Sequence, residues 1–153
     1  LLAVIWEYIG WHPLKSDTNH TNSFIGQDMN IVDLIYKEEC YQLVGLAYEM
    51  FNKLGYGYQE KYYHRAYAAE LAAQNIAFKR ELLARIKYGN GIIGRYFMDF
   101  MIDNKIVIEF KVADDFYLKH INQVLAYLKA TSLKLGVIML VTKKGIQYRR
   151  IVN

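Results

Sequence analysis

Residues 96–112 constrain this chain more than any other stretch. They read Tyr-Phe-Met-Asp-Phe-Met-Ile, then Asp-Asn-Lys, then Ile-Val-Ile-Glu-Phe-Lys-Val. Both arms are rich in β-branched and aromatic residues and Asp103-Asn104 is a turn signal, so the segment reads as a β-hairpin. Three charges, Asp99, Glu109 and Lys111, interrupt arms that are otherwise apolar. Side chains alternate across a strand, which puts Glu109 and Lys111 on one face and Ile108 and Phe110 on the other.

Register decides whether Asp99 joins them. A three-residue loop over Asp103, Asn104 and Lys105 centres on Asn104 and sets Asp99 opposite Glu109. A two-residue loop would set Asp99 opposite Ile108 and send the two carboxylates to opposite faces. The first register is the expected one. Two facing, half-buried carboxylates are costly unless a cation sits between them, and oxygen ligands suit Mg²⁺ or Mn²⁺. Lys111 could then hold a water beside the metal. The plain alternative is a solvated hairpin face with a Glu/Lys surface pair, worth little.

The remainder of the chain bounds the setting. With 153 residues and 54% hydrophobic content it can bury one ordinary core. The single cysteine, Cys40, excludes an intrachain disulfide and fits a reducing cytoplasm. No apolar run is long enough to span a bilayer. Residues 1–28 stand apart: they hold both tryptophans, the one proline and a polar run from Ser16 to Asn22. They read as a weakly ordered leader or an upstream extension, with the domain proper beginning at Met29. The leader carries Lys15 against Glu7, Asp17 and Asp28, so the net charge of +4 comes from the remainder, which permits a nucleic-acid partner.

From Asn30 onward the pattern is regular. Asn30 and Asp33 suit a helix start, and Val44, Ala47, Tyr48, Phe51 and Leu54 keep helical spacing up to Gly55. A second helix is expected over 59–74, ended by Asn75. Phe78, Leu82, Ala84, Ile86 and Tyr88 form the core face of a first strand, which Arg80 and Leu83 break. Gly89-Asn90-Gly91 turns it into the hairpin. Asp114 and Asp115 would cap a third helix running to Ala130. Residues 135–141 are continuously apolar, as in a strand covered on both faces, and a last strand covers 146–152. The order α-α-β-β-β-α-β-β describes an α/β domain whose third and fourth strands, separated by a helix, run parallel.

Two further groups bear on the hairpin. In Gly57-Tyr58-Gln59-Glu60-Lys61-Tyr62-Tyr63, Glu60 falls in the first turn of the second helix, where a carboxylate complements the dipole, and it shares a face with Tyr63. His64, one turn on, could be a ligand but reads first as a surface or packing histidine. On the third helix Phe116, His120, Gln123 and Tyr127 fall on one stripe. Ile121, Val124, Leu125 and Leu128 fall on another, the expected core face.

The order Gly57-x-x-Glu60-x-x-Tyr63, Asp99, Glu109-x-Lys111, His120-x-x-Gln123-x-x-x-Tyr127 resembles the GxxExxY protein family, a RecB-like branch of the PD-(D/E)xK nuclease superfamily. The resemblance covers residues 29–153. It implies a restriction-endonuclease-like core, a mixed sheet flanked by helices. Asp99, Glu109, the Phe110 carbonyl and Glu60 would hold Mg²⁺ or Mn²⁺, and Lys111 would position the attacking water. Gln123 and Tyr127 match a Q-x-x-x-Y helix motif that touches the nucleic acid or the active-site groups. Leu140-Val141 and the short Thr142-Lys143-Lys144 loop depart from the family, which often has Asn-Phe there.

The resulting expectation is a cytoplasmic, metal-dependent nuclease that hydrolyses phosphodiester bonds, with DNA as the expected partner, no membrane, and the oligomeric state open, a homodimer included. Arg80, Arg95, Lys119 and Lys129 are candidate phosphate contacts. The alternatives are a catalytically silent nuclease-fold protein that binds nucleic acid or a protein partner, and a purely structural module built on the tyrosine-rich helices.

Overall fold

The strand over Leu135–Thr142 is buried at every position, which requires cover on both faces of the sheet. The computed structural model describes residues 35–153 and supplies that cover. In chain order the elements are α1 (Lys37–Leu54), α2 (Glu60–Ala73), β1 (Phe78–Tyr88), β2 (Gly91–Ile102), β3 (Ile106–Val112), α3 (Leu118–Thr131), β4 (Leu135–Thr142) and β5 (Gly145–Val152). The five strands lie in the order β1-β2-β3-β4-β5. Only β3 and β4 are parallel, because α3 carries the chain back between them. The expected mixed sheet and element order are therefore observed. Residues 1–28, Met29, Asn30 and Asp33 lie outside the described residues.

Each face of β4 packs on different helices. Leu135, Val137, Met139 and Val141 join Leu43, Ala47, Met50, Tyr67 and Leu71 of α1 and α2. Ile138 joins Ile121, Val124 and Leu128 of α3. Gly136 sets the α3 distance: a Cβ there would lie 2.4 Å from a Val124 methyl. Cys40 is buried in the α1 face.

Helix ends follow local chemistry. Gly55, at φ 80, closes α1 with its N–H donating to the Phe51 carbonyl. Asn75, at φ 55, ends α2 in a Schellman arrangement: its N–H donates to Ala72 and that of Ile76 to Leu71. The expected cap on α3 is not formed. That helix starts at Leu118 behind Tyr117, with no side-chain cap. Asp115 instead accepts from the N–H of Phe116, because two more residues separate the acidic pair from the first helical turn.

The β1–β2 hairpin changes faces halfway along. Phe78, Phe100 and Ile102 pack on the α1/α2 side, whereas Leu82, Ala84, Tyr96 and Met98 pack on the α3 side. Alternation alone would keep these even-numbered positions on one face. The switch falls at Glu81, whose φ is 53. The pairs Arg80–Phe100 and Leu82–Met98 place Glu81 opposite Asp99. The reading of Phe78 on one face with Ala84 is thus corrected: with a left-handed residue between them, the side chains change faces. Further out, Ile93 is an extra residue between the Ile86–Gly94 and Lys87–Ile92 pairs, which is a β-bulge. There the outer face stays uncovered, leaving Ile93 and Phe97 exposed.

Candidate active site

The observed register of β2 and β3 pairs Ile102 with Ile106, Met101 with Val107 and Phe100 with Ile108, and Lys105 N–H donates to the Ile102 carbonyl. This is the three-residue loop, with Asp103 and Asn104 both at positive φ. Continued by one step, it sets Asp99 against Glu109. Backbone pairing stops at that step. The side chains take over the ladder's unmet groups: Phe110 N–H donates to Asp99 Oδ2 at 2.7 Å, and Asp99 N–H donates to Glu109 Oε2 at 3.4 Å. The strands part where the two carboxylates stand.

Glu109 is 2% exposed. Burial first, then the neighbouring Asp99 carboxylate, push its pKa up to about 7, against the pull of Lys111. Lys111 Nζ donates to Glu109 Oε1 at 2.6 Å and lies 3.6 Å from Glu60 Oε1. Burial alone would lower the pKa of this ammonium, but Glu109, Glu60 and Asp99 outweigh it and hold the value above the ordinary lysine range.

Glu60 arrives from a different element and has its own anchor. Its Oε2 accepts from the N–H of Val112 at 3.2 Å, so the first turn of α2 docks on the end of β3. The rest of the Gly57-x-x-Glu60-x-x-Tyr63 pattern has a positioning role. Gly57 stands at φ 113, a conformation that side chains disfavour. Tyr63 is fully buried, and its hydroxyl donates to the Gly55 carbonyl at 3.0 Å and accepts from Tyr58 N–H at 3.3 Å. The tyrosine clamps the α1–α2 connection, and the clamp aims Glu60.

His64 is the packing residue expected first and also lies beside this cluster, as the alternative reading allowed. Its ring does pack against Phe100 and Phe110, at centroid distances of 6.0 and 5.8 Å. Its free edge nevertheless reaches Asp99, with Nε2 3.2 Å from Oδ2. No hydrogen bond forms there, and Nε2 is buried and unsatisfied. One turn of α2 separates His64 from Glu60, the spacing on which the alternative ligand reading rested. Glu60, His64 and Asp99 bring ligand atoms within 4.8 Å of one another. Partly buried carboxylate oxygens joined by an orphaned imidazole nitrogen fit a divalent cation.

The α3 motif divides. Gln123 lines a cavity of about 610 Å³ beside Lys111, together with Tyr96, Lys119, His120 and Asn122. Burial, then Lys111 and Lys119, lower the His120 pKa. Tyr127 is 2% exposed and packs with Val124, Leu128, Met98 and Val107. Its place on an outward stripe is corrected: it sits at the border of the core face and turns inward. Of the candidate phosphate contacts, Lys119 and Lys129 lie along α3. Arg80 stacks on the ring of Phe100, Lys119 lies over Tyr117, and Arg95 pairs across the strand with Arg85. Among the described residues, no helix is long and apolar enough to cross a membrane.

Comparison with known proteins supplies the family. The crystal structure of SSO0001 is similar, with a TM-score of 0.50 at 21% identity, covering 86% of this chain and 70% of that one. The crystal structure of an alkaline exonuclease (LHK-Exo) from Laribacter hongkongensis gives a TM-score of 0.46 at 12% identity, covering 80% and 74%. No curated protein sequence matches this chain. The likeness to SSO0001 is one of fold, a mixed sheet flanked by helices. The family model of the PD-(D/E)XK nuclease superfamily matches residues 37–151, a span that holds every residue of the cluster. The chain therefore belongs to the PD-(D/E)XK nuclease superfamily.

Proposed function

We propose that this protein is a divalent-metal-dependent nuclease of the GxxExxY, RecB-like kind, acting on DNA. The observation that carries the reading is the carboxylate pair at the parting of β2 and β3: Glu109, 2% exposed, opposite Asp99, with the Lys111 ammonium 2.6 Å from the glutamate. A structural role alone is a poor account of a buried carboxylate set beside a half-buried one at the end of a ladder, since Asp99 raises the pKa of Glu109.

Asp99, Glu109 and the Phe110 carbonyl would hold Mg²⁺ or Mn²⁺, with Glu60 and His64 completing the shell. Bound there, the cation would polarise the scissile phosphate and acidify a water. Lys111, kept protonated by three carboxylates, orients the attacking water and steadies the charge that develops on the phosphate. Gln123 contacts the nucleic acid from the cavity wall, and Tyr127 supports that wall from within. The Tyr63 clamp holds Glu60 against the end of β3, so the shell needs little reorganisation when a cation binds.

The test compares wild type with Glu109→Ala on labelled single- and double-stranded DNA and RNA, with and without Mg²⁺ or Mn²⁺. The expected result is metal-dependent cleavage, strongest on DNA, that the substitution abolishes. Cleavage unchanged in the variant, or none by wild type with either metal, contradicts the proposal.

A further inference from the structure

We propose that the surface between α3 and the outer half of the β1–β2 hairpin is a track for the phosphodiester backbone of the strand being cut, leading from Lys111 toward the hairpin tip. The direction of travel rests on the nuclease reading above; the track's preference for a polyanion does not.

Two cavities lie one turn of α3 apart. The first, about 610 Å³, includes Lys111, Lys119 and Gln123 in its wall. The second, about 430 Å³, is lined by Arg85, Ile86, Lys87, Ala126, Lys129 and Ala130. On the helix, Gln123 and Ala126 are three residues apart and so neighbours. On the hairpin, Tyr96 of the first cavity is paired with Ala84, the residue before Arg85. The two spaces thus share both walls. Residues 119 and 130 span about 16 Å of helix axis, the length of about five nucleotides at the rise of one duplex strand.

The chemistry is one-sided. Neither cavity has a carboxylate in its wall, and five cations do line them: Lys111 and Lys119 in one, Arg85, Lys87 and Lys129 in the other. Neither α3 nor the hairpin from Leu82 to Met98 contains a single Asp or Glu. One local rule is broken here. Lys119 occupies the first turn of α3, where a cation opposes the helix dipole. Among the described residues no salt bridge offsets it. A ligand of repeated negative charge relieves it, and a phosphodiester chain that passes the catalytic cluster is such a ligand.

The test measures metal-free binding of fluorescent single-stranded oligonucleotides of about 4 and about 12 nucleotides by anisotropy, across a salt series. The variants are the triple Arg85→Ala/Lys87→Ala/Lys129→Ala and a charge-matched control, Lys79→Ala/Lys105→Ala/Lys134→Ala, whose residues are exposed at the other end of the sheet. Wild type should bind the longer oligonucleotide more tightly. The track triple should lose that advantage, with a salt slope shallower by about 2, the value for three phosphate contacts on a single strand. The control should keep both. Equal weakening by the two triples, an unchanged slope in the track triple, or no binding by wild type overturns the proposal. The readout is independent of cleavage: an inactive protein whose track triple alone loses binding refutes the nuclease reading and keeps the track, and an active one with an unchanged slope does the reverse.

Discussion

The same strand, β2, runs through two different environments. From Phe100 to Ile102 it is hydrogen-bonded on both sides, to β1 and to β3, and the side chains of Phe100 and Ile102 lie at 0% and 3% exposure beneath α1 and α2. From Gly91 to Met98 it pairs with β1 alone, packs against α3 on one face and leaves Phe97 59% exposed on the other. Asp99 stands at the boundary. The difference teaches where a site can be built. Inside the sandwich every backbone group is spent on its neighbours and every position is fixed by packing. At the boundary the ladder ends, two N–H groups become available, and Asp99 and Glu109 take them. Beyond it, stability asks little of the outer face, which is free to carry charge and aromatic surface.

That contrast can be broken most sharply within β2. Phe100→Ala should destabilise the fold by about 3–5 kcal/mol as a buried aromatic truncation, whereas Phe97→Ala, three residues away, should cost less than about 0.5 kcal/mol as a surface change. Urea denaturation of both variants checks this, and similar losses would erase the distinction between the two halves. At the boundary, Lys111→Met should lower the turnover of a metal-activated wild type by about 10²–10³-fold, the usual effect of deleting one donor to a developing charge. Its unfolding midpoint should move little, because the buried Glu109 can take up a proton when its partner leaves.

Glu109 also makes a signed pH prediction. Its folded pKa, about 7, lies above the ordinary carboxylate value, so the protonated form is favoured by folding. Its contribution is fully present below the unfolded pKa and is lost as pH rises toward and through about 7. Metal-free wild type should therefore lose stability between about pH 5 and about pH 8 relative to Glu109→Gln, which cannot ionise. Parallel stability profiles of the two proteins would mean that the carboxylate is not desolvated. The smallest effects separate the two halves once more. Gly136→Ala, with a Cβ 2.4 Å from Val124 in the packed region, should cost about 1–3 kcal/mol. Gly94→Ala, 3.0 Å from the flexible end of Ile86, should cost less than about 1 kcal/mol, because that methyl can swing aside.

Much of the central region could be read from residue order. The unbroken apolar run of β4 means cover on both faces. The Gly55 and Asn75 helix ends follow from backbone preference, and the turn at Asn104 fixes the register that sets Asp99 against Glu109. These features are local or depend on period. What escaped depends on contacts far apart in the chain. The face switch at Glu81 shows in the sequence only as the break in alternation at Arg80 and Leu83, which does not reveal the left-handed residue between them. His64 resembles any helical histidine until α2 lands on β3. Tyr127 sits on the border between two stripes, and which way it turns depends on the room beneath the sheet. The Asp114-Asp115 pair satisfies a capping rule but stands too early in the chain to serve α3.

The central claim is that Asp99 and Glu109, with Glu60 and His64, form a cation site. Calorimetric titration of Mn²⁺ into metal-free protein at low salt, wild type beside Asp99→Asn, addresses it most directly. Wild type should take up the cation, and the substitution should weaken uptake by about tenfold or more through loss of a charged oxygen ligand. Absence of uptake by wild type, or equal uptake by both proteins, would contradict the account.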